Sequence, residues 1–234
     1  MLKKLIRDEL YKIEKFKISK IKLLFPEHHL SHAASAFYPS PFADSAILTI
    51  DGVGEWATAS VCQGKDNSIT IHKELDFPHS LGLLYSAFTY FLGFKVNSGE
   101  YKLMGLAPYG NPDAEITKKY IETITTQLVD IKDDGSIILN MKYFNYETGL
   151  RMVKDSVWEK LFGFQRRHSE SNIEQHHCDL AYAIQKVTDD IVLKMAAEAK
   201  RLTHSDNLCM AGGVALNCVS NGKLLKSGLF KNIF

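Results

Sequence analysis

Two histidines four residues apart, His28 and His32, stand shortly before a β-run that ends in an aspartate, Asp51. Positions i and i+4 share one face of a helix, so both imidazoles can address one metal ion. The carboxylate of Asp51 completes a donor set that suits iron, zinc or manganese. Three protein ligands leave coordination positions for substrate oxygens. Spacing alone is a weak signal, because two exposed helical histidines are common. His29 lies between the pair and points elsewhere on the helix.

Glycines flank the other candidate groups. Asp51-Gly52-Val53-Gly54-Glu55 follows the β-run, and its glycines would let backbone N–H groups approach phosphate oxygens. The same five residues also read as a tight hairpin. Gly212 and Gly213, with Asn217 four residues on, lie between a short β-run and a helix. That arrangement makes a nucleotide cradle from free N–H groups at a helix start, or a helix that simply packs close to its strand. Neither the G-x-G-x-x-G fingerprint nor a P-loop occurs. Glu100 and Lys102 stand in a Gly-bounded, mostly apolar stretch. They are a surface pair, or a cation and carboxylate placed to hold a carbamoyl- or phosphate-like anion. His79 and Ser80 read as caps of the helix that follows, and His72, His168, His176, His177 and His204 as surface or structural groups.

The elements that would position these groups follow from periodicity. Apolar spacing predicts helices over Leu2–Phe16, His28–Phe37, Leu81–Leu92 and Asp113–Leu128, and a long one over His176–Leu202. Ser80 is the predicted N-cap of the third. Strands are predicted at Ile18–Phe25, Ala46–Asp51, Ala57–Gln63, Ile69–Leu75 and Asn207–Met210. The central three would form an antiparallel meander, and the all-apolar run at 46–50 predicts burial on both faces. A helix is predicted from the Gly-Gly turn to about Leu225, and a further strand begins at Ile233. Residues of roughly 130–170 read as an irregular decorating segment with a short strand at Ile137–Asn140.

The 234 residues can bury a sizeable core, and 45% hydrophobic with 24% charged residues is ordinary globular composition. A net charge of +1 gives no electrostatic case for nucleic acid or a membrane surface. The basic N-terminal segment is interrupted by Asp8, Glu9 and Glu14 and reads as a solvated helix face. Cys62, Cys178, Cys209 and Cys218 show no C-x-x-C pairing, so a disulfide framework is not expected and a reducing cytoplasm fits. No apolar run is long enough for a membrane span, and no signal-peptide core is present.

Five motifs, in order, resemble the NodU/CmcH carbamoyltransferase family: residues 28–42 (HHLSHAASAFYPSPF), 49–55 (TIDGVGE), 78–85 (PHSLGLLY), 99–107 (GEYKLMGLA) and 211–217 (AGGVALN). The resemblance implies an α/β fold of the actin-like ATPase (ASKHA) class, followed in the family by a YrdC-like domain. It implies O-carbamoyl transfer: carbamoyl adenylate is made from carbamoyl phosphate and ATP, and the carbamoyl group passes to a hydroxyl of a small acceptor. His28, His32 and Asp51 match metal ligands, typically for iron. Gly52, Gly54 and Glu55, with Gly212, Gly213 and Asn217, match the turns expected to hold phosphate and adenosine. Glu100 and Lys102 are the candidates around the carbamoyl group or acceptor. Against the family pattern, residues 1–234 read as a partial N-terminal domain. The opening strands, a further metal-binding aspartate and the YrdC-like domain are missing, the last to be supplied by a partner chain. Two other readings stand beside this one. The first is tRNA threonylcarbamoyl transfer, which shares the histidine pair and fold. The second is a non-catalytic fragment or one subunit of a split enzyme.

Overall fold

The structure, a computed structural model, describes residues 2–15, 17 and 21–234. Its centre is a five-stranded sheet in the order β3-β2-β1-β6-β7. Strands β1 (Asp44–Gly54), β2 (Ala57–Lys65) and β3 (Ser68–Asp76) form the predicted antiparallel meander. Strand β6 (Asn207–Ala211) runs parallel to β1, and β7 (Asn232–Ile233) runs parallel to β6. The protein is therefore of mixed α/β class.

Side-chain alternation along β1 divides the core. Ala46, Leu48 and Ile50 face the larger cluster, built with helices α3 (Leu81–Phe91) and α7 (Gln175–Thr203). Ile47 faces the other way, against Ala33, Ala36 and Phe37 of helix α2 (His28–Phe37) and against Cys62 and Cys209. Residues 45–50 are all buried, as a strand covered on both faces requires. Ser80 caps α3 by accepting the Leu83 N–H at 3.0 Å.

Several elements differ from expectation. Helix α1 (Leu2–Ile13) stops short of the predicted end; Phe16 lies outside the described residues. The strand predicted at 18–25 is not formed at 21–25, where the apolar run finds no neighbouring strand; 18–20 lie outside the described residues. Helix α4 (Glu100–Leu106) occupies a stretch whose glycines suppress the helical signal. The helix predicted over 113–128 is α5 (Glu115–Thr123) continued by a π-helical turn, Ile124–Leu128. The Gly-Gly turn opens only a 3₁₀ turn, Gly213–Leu216; helix α8 (Cys218–Ser227) starts after Asn217.

Residues 130–170 share the main core. The short pair β4 (Val129–Ile131) and β5 (Ile137–Leu139) and helix α6 (Asp155–Phe162) contribute Ile137, Leu139, Trp158 and Phe162, all buried. The Trp158 ring lies 4.8 Å from Phe88 and 5.3 Å from Phe91, and its indole N–H donates to the Tyr143 carbonyl. His79 and Tyr146 join this segment to the loop before α3, through Leu139 N–H to His79 Nδ1 and Tyr146 O–H to the Pro78 carbonyl.

Candidate metal and nucleotide site

Helix α2 presents His28 and His32 one turn apart, and β1 delivers Asp51 between them. The Nε2 atoms of His28 and His32 lie 2.9 Å and 3.0 Å from the same oxygen, Asp51 Oδ2. The two rings meet edge to face at 4.5 Å. Asp51 Oδ1 accepts the backbone N–H groups of Gly52 and Gly213, at 2.8 Å and 3.2 Å. Burial works to raise the Asp51 pKa, but the hydrogen bonds from His28, Gly52, His32 and Gly213 outweigh it and bring it down to about 2. The carboxylate is thus ionised and only accepts, so each contact is a hydrogen bond when the ring carries a proton on Nε2. Those are the positions from which a metal would displace protons.

The donor set fits a divalent transition metal. One donor atom each from His28, His32 and Asp51 can be chosen so that all lie within 4.8 Å of one another. An ion with ligand bonds of about 2.0–2.2 Å spans such a set after small side-chain rotations. Among the described residues it is the one group of three or more His, Cys, Asp or Glu placed in this way.

Asp51 also lines a cleft of about 360 Å³. Gly52, Gly82, Glu100 and Gly213 line it with Asp51, and Tyr85, Tyr101, Met104, Val214 and Leu216 give it an apolar side. Gly82 lets the start of α3 abut β1, since a Cβ there would meet the Asp51 carbonyl oxygen at 2.5 Å. Ser80 reinforces the same junction by donating to the Gly52 carbonyl oxygen at 2.5 Å.

The remaining predicted residues divide between lining and support. Gly212 has φ +96°, and a Cβ on it would collide with the Ile50 carbonyl; this glycine lets the turn cross the end of β1 and bring Gly213 to Asp51. Asn217 lines the cleft, but its side chain is engaged: it caps α8 through Ser220 N–H and exchanges two 3.1 Å hydrogen bonds with Gln185. Glu100 lines the cleft and organises loop 97–99, accepting from Ser86 Oγ, Asn97 N–H and Gly99 N–H. Lys102 is exposed and outside the cleft wall. Gly54 and Glu55 also lie outside it. Gly54 sits against the His28 ring, and Glu55 is exposed at the hairpin turn with φ 59°.

Sequence reasoning missed a buried polar layer beneath the cleft. Tyr85 O–H donates to Gln185 Oε1 at 2.8 Å, and Gln185 Nε2 donates to Asp189 Oδ1 at 2.7 Å. Asp189 also accepts from Ser220 Oγ and Lys223. The available signal was polar Gln185 and Asp189 set within the apolar stripe of the longest helix. All four cysteines are free, and no helix among the described residues is long and apolar enough to cross a membrane.

Comparison with known proteins places the chain. The family described as "Carbamoyltransferase N-terminus" matches residues 1–234. A Synechocystis protein, "Uncharacterized protein sll1178", is 58% identical over 212 residues, covering 91% of this chain and 33% of its own length. "Nodulation protein NolNO" of Sinorhizobium fredii is 35% identical, covering 91% of this chain and 28% of its own length. "Nodulation protein NolO" of Bradyrhizobium diazoefficiens is 36% identical, covering 88% and 34%. The chain therefore spans about a third of the length of these relatives.

Proposed function

The chain belongs to the carbamoyltransferase N-terminal family, and from that premise we propose that it supplies the metal and nucleotide site of an O-carbamoyl transfer. The substrates in this reading are carbamoyl adenylate, formed from carbamoyl phosphate and ATP, and a small acceptor bearing a hydroxyl. The observation that carries the reading is the convergence of His28 and His32 on one oxygen of Asp51, itself a wall residue of the cleft. The fold reading is actin-like; its support is a sheet in which an antiparallel meander continues into two parallel strands beside β1.

His28, His32 and Asp51 would hold a divalent metal, with iron the first candidate. Bound there, the metal would supply Lewis-acid polarisation of the carbamoyl carbonyl and ease attack by the acceptor hydroxyl. The protein's own groups do the rest. Gly52 and Gly213 fix the Asp51 carboxylate through their N–H groups. The apolar lining of the cleft, with Tyr85, Tyr101 and Met104, suits a flat base, and the neighbourhood of Asp51 would take the phosphate and carbamoyl groups. Glu100 acts through loop 97–99, which it holds against the cleft. Residues beyond this chain, of the kind that make up most of its longer relatives, would complete adenylate formation.

The test is calorimetry on the purified chain with a non-hydrolysable ATP analogue, with and without added Fe²⁺ or Mn²⁺. Saturable nucleotide binding strengthened by metal supports the proposal. Absence of binding under both conditions would remove it for this chain.

A further inference from the structure

Between the two converging histidines lies a third, His29, that takes no part in the cluster. Its ring centroid is 5.5 Å from that of His28 and 6.1 Å from that of His32. It is buried, 3% exposed, and its Nδ1 lies 2.6 Å from Thr49 Oγ1. Thr49 is fully buried and in turn bonds Ser60 Oγ at 2.6 Å across the β1–β2 pairing, where the two residues are direct partners.

Helix α2 rests on the sheet through a stripe of His29, Ala33, Ala36 and Phe37. Apolar contacts are non-directional, and two of the three apolar members are alanines, so they set the helix against the sheet without strictly fixing its roll. A hydrogen bond is directional. Thr49 and Asp51 are two residues apart on one strand and share its α2-facing side. Both α2-to-β1 links, His29 to Thr49 and the histidine pair to Asp51, therefore refer to the same strand. Stability does not account for an imidazole here, because a buried polar pair is commonly no more stabilising than a well-packed apolar side chain.

We propose that His29 is a positioning residue: its hydrogen bond to the buried Thr49–Ser60 pair fixes the roll of α2 so that His28 and His32 present Nε2 to Asp51 together. This inference rests on the reading of that trio as a metal site. Outer-shell groups that orient metal ligands typically change affinity by about 10- to 100-fold.

The experiment compares the intact chain with His29→Leu, His29→Asn and Thr49→Val. Thr49→Val breaks the same bond from the other end with little change of volume, and the Asn amide can take over the Nδ1 contact. Cobalt(II) titration, followed by its visible absorption, should show about 10-fold or weaker binding and altered bands for His29→Leu and Thr49→Val. His29→Asn should recover most of the loss. In parallel, the ¹⁵N ring signals of His28 and His32 in metal-free protein should move in Thr49→Val. Wild-type cobalt affinity and spectrum in a folded Thr49→Val protein would overturn the proposal. If the unaltered chain binds no cobalt, the metal reading fails, and the metal-free ring signals decide: a shift in Thr49→Val sustains the positioning role, and unchanged signals end it.

Discussion

Gly54 lies against the imidazole of His28, and a Cβ at position 54 would overlap that ring and its Cβ. The glycine read from the sequence as part of a phosphate cradle also seats a candidate metal ligand. Gly54→Ala should therefore displace His28 from Asp51 while leaving the sheet formed. Metal affinity should fall at least about 10-fold, with the circular dichroism spectrum unchanged; equilibrium titration with Mn²⁺ or Co²⁺ measures it.

Gly212 makes the crossing that brings Gly213 to Asp51. Alanine there would be strained by the φ of +96° and would press on the Ile50 carbonyl. Gly212→Ala should lower stability by about 1–3 kcal/mol and weaken metal binding as well. Urea denaturation with and without metal separates the two effects. A variant as stable as the original would contradict the close approach.

Trp158 is fully buried among Phe88, Phe91, Phe144 and Phe162. Trp158→Ala should cost about 3–5 kcal/mol, measured by denaturant unfolding. A loss below about 1 kcal/mol would mean that residues 130–170 are peripheral to the core.

Two buried groups, His177 and Glu198, contribute to the acid limit alongside Asp51. Burial lowers the His177 pKa from 6.5 to about 4, and its Nδ1 accepts the Glu174 N–H at the start of α7. Between those values the unfolded chain binds a proton that the folded chain refuses, so stability falls as pH drops from 6.5 towards 4. Glu198 is held by Arg201 and Lys73, which bring its pKa from 4.5 down to about 2 despite burial. Its contribution is intact above 4.5 and is lost as pH falls towards 2. Unfolding midpoints across this range should fall in two stages. His177→Asn should flatten the upper stage, and Glu198→Gln should shrink the lower one, to which Asp51 also contributes.

The candidate trio was legible because each member has a local signature. A four-residue histidine spacing fixes a shared helix face, and an apolar run fixes where the strand ends in Asp51. The partners that hold the trio are not local. Gly54 meets His28 across 26 positions of sequence and Gly213 meets Asp51 across 162, so a glycine's role as phosphate cradle or packing seat cannot be told from its neighbours in the chain. Helix α4 was hidden by Gly99 and Gly105, and α6 by being short and set in polar sequence. The apolar stretch at 21–25 carries strand-like residues but has no strand beside it, and pairing rather than propensity decides. Gln185 and Asp189 sit on the buried stripe of α7, where periodicity registers burial but not the polar partners they meet.

The central claim is that His28, His32 and Asp51 bind one metal ion, and metal stoichiometry tests it most directly. After reconstitution with Fe²⁺ or Mn²⁺ and removal of excess ion, elemental analysis of the unaltered chain should give about one metal per chain. The double variant His28→Ala/His32→Ala should give none while keeping its helical signal, since both side chains are partly exposed. Full metal occupancy in the folded double variant would place the ion elsewhere and contradict the account.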